Sequence, residues 1–179
     1  MFEHPGLRAV ICNSRMVRGE ILRHFAIAED KLHVIYNGVD TGHFHPRERV
    51  RRNGGDIVLV FVGSGFARKG LDTVLTAMAR SRLPLKLLVV GRDRELPRFA
   101  ALARSLKIAG RVTFAGGVED VRPYYGAADA LVLPTLYDPF PNVVLEAMAM
   151  GLPAIVSEQC GAAELVKHGE NGWIVPARD

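Results

Sequence analysis

The chain has 179 residues, 49% hydrophobic and 23% charged, which suits one globular domain with a sizeable core and excludes a disordered or fibrous protein. Its net charge of +4 is a mild basic excess, too small to name a partner class. The longest apolar runs, Ile57–Val62 and Leu85–Val90, are strand-sized and well short of the roughly 18 residues a membrane helix needs. Met1 to Pro5 carry neither a basic lead-in nor an apolar core, so no secretory signal is visible and a cytoplasmic location is the default expectation. Cys12 and Cys160 lie far apart without metal-ligand or redox spacing and read as structural thiols.

In chain order, residues 1–55 come first, with a strand at Ala9–Cys12, a helix at Ser14–Phe25 and a second strand at Leu32–Tyr36 closing on Asn37-Gly38. They read as an interdomain segment and the remnant of another, N-terminal domain. Arg47, Arg49, Arg51 and Arg52 stand beside Asn53-Gly54-Gly55 as a solvated linker, with an anionic membrane or an acceptor as the alternative contact. No aromatic residues interleave with these arginines, which argues against nucleic acid as a partner.

Residues 56–179 alternate short β-branched runs with helical periodicity. Strands are expected at Ile57–Gly63, Leu85–Gly91, Arg111–Ala115, Ala130–Pro134 and Ala154–Ser157, apolar on both faces as buried parallel strands are. Helices are expected at Leu71–Arg80 and Leu96–Leu106. The fold class is α/β, a Rossmann-like doubly wound parallel sheet with flanking helices. Trp173–Pro176 reads as a short edge strand, after which the chain stops without a closing helix, and both ends read as cut.

Two segments carry candidate chemistry. Gly63-Ser64-Gly65-Phe66-Ala67-Arg68-Lys69-Gly70 links a buried strand to a helix. Glycines allow tight turns and close approach of a ligand, and a helix N-terminus adds unpaired N–H groups, so the loop outlines a phosphate site. Arg68 offers a planar fork of donors and Lys69 a compact charge; a solvated turn with two surface charges is the bland alternative. A nicotinamide dinucleotide fingerprint would need glycine at Arg68 and an acid at Gly91-Arg92, and a Walker loop would need Gly-Lys-Ser/Thr; none is present.

The second segment runs from Pro134 to Met148, strand to loop to helix, with Pro141 expected in the helix's first turn. It places Asp138 on the loop and Glu146 about one turn inside an otherwise apolar helix. A carboxylate there is costly to bury unless it faces a ligand or a partner, and a structural salt bridge or capping role would also explain it. The six histidines are scattered, and neither Asp-x-Asp nor a histidine-carboxylate cluster occurs, so no metal is expected.

These segments, the run Ala147-Met148-Ala149-Met150-Gly151-Leu152-Pro153, Glu164 before Asn171-Gly172-Trp173, and Val34-Ile35-Tyr36-Asn37-Gly38-Val39-Asp40 together resemble family four of the retaining glycosyltransferases over nearly the whole chain. Gly63 to Lys69 most resembles the bacterial lipopolysaccharide core glucosyltransferases. The resemblance implies the donor-binding C-terminal half of a GT-B fold, using a nucleotide-diphosphate sugar such as UDP-glucose without a cofactor or metal. The acceptor, a glycan or glycolipid, would be held by an N-terminal domain, and the whole protein would work in the cytoplasm, with peripheral contact at the inner face of the membrane open. By the same resemblance Arg68 and Lys69 hold the diphosphate beside Gly63, Ser64 and Gly65. Glu146 accepts from the ribose hydroxyls, amides near Asn142, Val143 and Val144 cap the distal phosphate, and Asp138, with Phe140 nearby, touches the transferred sugar. Gly117 and Val118 meet the base, with Arg92 as a neighbour. Arg68, Lys69 and Asp138 would carry the catalytic load, because positive charge on the departing diphosphate is the main lever on such a transfer.

Two departures stand out. Asp138 is one methylene shorter than the family's glutamate, and Pro141 removes an amide where the family often has glycine. A nucleotide-sugar 2-epimerase, which shares the two-domain architecture, and a non-catalytic nucleotide-sugar-binding module are the alternatives.

Overall fold

The structure, a computed structural model, describes residues 2, 4, 6–46 and 55–177. The arginine-rich stretch from Arg47 to Arg52 lies outside the described residues.

Near the N-terminus, β1 (Val10–Cys12) and β2 (Leu32–Val34) pair in parallel, and α1 (Arg15–His24) packs on them. Ser14 starts α1: its extended backbone precedes the first turn, and its hydroxyl accepts from the Val17 amide at 3.1 Å. Cys12, Ile21 and Leu32 form a small core of their own, apart from the main one. A two-stranded pair this short has little independent stability, so α1 and its contacts with the larger body hold it.

The main body is a sheet of β3 (Ile57–Val62), β4 (Leu85–Val90), β5 (Val112–Gly116), β6 (Ala130–Leu133), β7 (Ala154–Ser157) and β8 (Gly172–Val175). All neighbours pair in parallel, in the order β5-β4-β3-β6-β7-β8. The chain winds outward from β3 to β5, then returns to place β6 on the other side of β3 and winds the opposite way. Right-handed crossovers therefore put α2 (Leu71–Arg80) and α3 (Leu96–Ser105) on one face, and α4 (Arg122–Ala127) and α5 (Asn142–Ala149) on the other. The doubly wound expectation holds. β6 is buried along its whole length, and α2 buries Leu71, Val74, Leu75 and Met78 on one stripe.

Several boundaries differ from those read in the sequence. β5 begins at Val112 because Arg111 closes a tight turn over Ala109–Arg111 and donates to the Met78 carbonyl at 3.2 Å. The six-residue α4 was not anticipated; Pro123 and Gly126 inside it hide its periodicity. Pro141 is the N-cap of α5, one position before the first turn, with φ −72° and ψ 117°. β8 is an edge strand as expected, one residue earlier.

Candidate functional site

The order of the sheet reverses between β3 and β6. In open α/β sheets the crevice beyond the carboxyl ends of the strands at such a point is where ligands bind. The two motif-bearing segments leave the sheet there, residues 63–70 after β3 and residues 134–142 after β6. They are locked to each other. The Leu136 amide donates to the Arg68 carbonyl at 2.8 Å, and the Thr135 hydroxyl to the same carbonyl at 3.1 Å. Gly70, at φ +79°, lies so close to Pro134 that a side chain would collide with its carbonyl.

Lys69 and Asp138 meet in this lock. The Lys69 ammonium donates to Asp138 Oδ2 at 2.7 Å, with only about 10% of either side chain exposed. The lysine stem lies over Gly63, where a Cβ would come within 2.7 Å of Lys69 Cε, so that glycine makes room for a protein side chain. Arg68 is half exposed; its Nη1 donates to the Tyr137 carbonyl and lies 3.4 Å from Asp138 Oδ2. Two cations and one carboxylate thus share one point, a cluster with excess positive charge.

The amides of this loop are not the open set that the sequence suggested. Gly63 N donates to Val90, Lys69 N to Gly65, Gly70 N to Ala67 and Leu71 N to Phe66. Phe66 N donates to Asp93 Oδ2 at 2.6 Å. Burial would raise the Asp93 pKa, but backbone N–H groups of Phe66, Glu95 and Gly65 outweigh it and hold the carboxyl below the usual aspartate value. Asp93 was missed in the sequence, since nothing local marks an acid that reaches 27 residues back. The Phe66 ring, fully buried edge-on between Phe61 and Phe99, anchors the loop from below. Ser64 and Gly65 are exposed at the rim. The groups this loop has to offer an anion are therefore the Arg68 and Lys69 side chains more than the amides at the start of α2.

Backbone donors come instead from α5. Asn142 and Val143 occupy its first two positions, where amides have no partner within a helix. The Val144 amide turns back to the Pro141 carbonyl at 3.1 Å, which leaves it less available than the resemblance implies. The side chains of Val144 and Phe140 are buried in the core, Phe140 stacked under Tyr36 at 5.5 Å, so neither side chain is available to a ligand. Asn142 is exposed and accepts from Asn37 Nδ2 at 2.7 Å.

Glu146 has the partner its position calls for. Its Oε2 accepts from the Tyr125 hydroxyl at 2.8 Å, and that hydroxyl also reaches the Val143 carbonyl at 3.3 Å. Tyr125 is fully buried, and burial together with the neighbouring carboxylate pushes its hydroxyl far above the usual phenol range. It therefore acts as the donor to the half-buried Glu146, whose other oxygen makes no hydrogen bond among the described residues. Arg92 and Gly117 are also brought together: the arginine stem lies across Gly117 so closely that any side chain there would collide with it. Val118 is partly buried against the main core.

The N-terminal segment reaches the same site. The Tyr137 hydroxyl donates to Glu20 Oε2 at 2.7 Å, a bond that pushes its pKa up to about 12. Glu164 accepts from the amides of Arg15 and Met16 at 3.0 and 2.8 Å and from the Tyr36 hydroxyl at 2.8 Å, capping α1.

Other features offer less. An apolar trough of about 350 Å³ beside α2, lined by Leu59, Val132, Ile155 and Val175 among others, carries no charge that would bind a nucleotide. Cys12 and Cys160 are buried, and burial raises both thiols, Cys160 to about 11. Among the described residues no cluster of three His, Cys, Asp or Glu could hold a metal ion, and no helix is long and apolar enough to cross a membrane.

Residues 56–179, more than half of the chain, match the family described as glycosyl transferases group 1. The chain belongs to that family. Residues 2–43 match the family described as glycosyltransferase family 4. This group 1 chain is 33% identical over 182 residues to a glycosyltransferase of Methanocaldococcus jannaschii, covering 93% of the chain and 47% of that protein. It is 37% identical over 123 residues to the lipopolysaccharide glucosyltransferase WaaG of Escherichia coli, covering 66% and 32%. Among solved structures, one of WaaG superposes with a TM-score of 0.86 at 25% identity, covering 99% of the chain and 51% of WaaG. Sucrose-phosphate synthase from Thermosynechococcus elongatus gives 0.84 at 31% identity, covering 97% and 47%. The chain spans about half or less of the length of these relatives.

Proposed function

We propose that the chain is the donor-binding half of a retaining glycosyltransferase that takes a UDP-hexose, with glucose first, and serves a glycan or lipopolysaccharide-type acceptor held by a further domain. The observation that carries this reading is the convergence of Arg68, Lys69 and Asp138 at the switch point, on the loop that leads into α5, where Tyr125 holds Glu146. In this reading Arg68, Lys69 and the amides of Asn142 and Val143 bind the diphosphate, and Glu146 binds the ribose. Arg92 and the backbone at Gly117 and Val118 face the base.

The chemistry follows from the charges. Transfer breaks the bond between the anomeric carbon and the diphosphate, leaving an oxocarbenium-like sugar and a leaving group that gains negative charge. Fixed cations at that leaving group stabilise the transition state more than the ground state; removing one such donor commonly costs about 3–4 kcal/mol. Neither a metal nor a cofactor is required by this scheme. Glucose is favoured because the chain resembles WaaG, which is described as a lipopolysaccharide glucosyltransferase. An active site facing the cytoplasm, at or near a membrane surface, belongs to the same reading.

The test is calorimetric titration of the chain with UDP-glucose, UDP-galactose, GDP-mannose and ADP-glucose. Saturable binding confined to the uridine compounds supports the proposal, and selection of another base would replace the donor named here. No binding by a folded chain would withdraw it.

A further inference from the structure

The place where a diphosphate would meet Lys69 is already filled by a carboxylate. Asp138 Oδ2 sits 2.7 Å from Lys69 Nζ and 3.4 Å from Arg68 Nη1. Its backbone is fixed on both sides, the amide donating to Gln159 O at 3.1 Å and the carbonyl accepting from Gly161 N at 2.9 Å. The lysine is equally confined, threaded over Gly63. We infer that Asp138 is a positioning residue that holds Lys69 and Arg68 in place in the empty site and gives them up, in whole or in part, to the diphosphate of the donor.

This inference rests on the donor-site reading and adds a sign to it. A buried lysine that loses its partner is strongly destabilised, and Asp138 prevents this while the site is empty. Once a diphosphate has arrived, the same carboxylate is a like charge beside it, which weakens binding and helps the nucleoside diphosphate to leave. Neutralising Asp138 therefore costs stability in the empty chain and gains affinity for UDP. UDP is the discriminating probe because it lacks the transferred hexose: a residue that only touches that hexose leaves UDP binding unchanged, and a merely structural residue weakens it.

The experiment compares the parent chain with Asp138→Asn, measuring UDP and pyrophosphate binding by calorimetry and thermal melting with and without each. The expected result is a lower melting temperature without ligand, UDP binding about tenfold tighter, and a larger rise in melting temperature on adding UDP. Unchanged or weaker UDP binding overturns the inference. If the variant folds only with UDP or pyrophosphate present, the inference is supported, since an anion then replaces the missing carboxylate; if it fails to fold even then, the inference is overturned. Absence of UDP binding in the parent chain overturns the donor-site reading and this inference with it.

Discussion

Residues 63–70 and 134–142 both carry the chain from a buried parallel strand toward a helix, and both close on the same crevice, yet they offer a ligand different groups. In the first, most backbone donors already have protein partners, Gly65 and Phe66 on Asp93, and positive charge is supplied by Arg68 and Lys69. In the second, the side chains of Phe140 and Val144 are buried, and the amides of Asn142 and Val143 at the start of α5 have no acceptor within the helix. A glycine-rich loop before a helix is thus not by itself a phosphate cradle. Which amides are free depends on acids brought in from other strands.

The sharpest way to break this contrast is to separate the two loops. Gly70→Ala would push a side chain into the Pro134 carbonyl at a backbone angle unsuited to alanine, and should cost about 2–4 kcal/mol in urea unfolding. Near-parent stability would mean that the loops are not locked as described. Next in size, Lys69→Ala should weaken UDP binding about 10–100-fold while leaving uridine binding nearly unchanged. Equal losses for both ligands would move the lysine's role away from the phosphates.

Asp93→Ala should loosen the first loop by about 1–2 kcal/mol, through two amides that lose their acceptor. Because the folded pKa of Asp93 lies below its ordinary value of 3.8, its stabilisation is complete above that value and disappears as pH falls through the folded pKa. The stability gap between parent and variant should therefore be flat near neutrality and close only in strong acid; a gap closing near pH 6 would implicate another group. The smallest effect belongs to Tyr125→Phe, which keeps the packing and removes one hydroxyl. It should weaken UDP binding by about 1 kcal/mol and leave 2′-deoxy-UDP less affected, if Glu146 is aimed at the ribose.

Much of the architecture was legible because apolar runs bounded by glycines mark buried parallel strands, and α2 shows a clean stripe of Leu71, Val74, Leu75 and Met78. The pair of segments carrying Lys69 and Asp138 was legible as well, through resemblance as much as spacing. What escaped is long-range. Tyr125 reaches Glu146 across 21 positions, Glu20 reaches Tyr137 across 117, and Glu164 caps a helix 149 residues away. Each is a hydrogen bond between side chains or amides made neighbours only by the winding of the sheet, and no local pattern records it. The amides expected to be free before α2 are taken partly by the distant Asp93 and partly by local turns, Gly70 to Ala67 and Leu71 to Phe66.

The most direct test of the switch-point site is calorimetric titration of UDP into the unaltered chain, Lys69→Ala and Glu146→Ala under one set of conditions. A single saturable site in the parent, weakened at least tenfold in each variant while both stay folded, is the result predicted here. Equal UDP affinity in all three would contradict it, because the nucleotide would then be bound somewhere other than between β3 and β6.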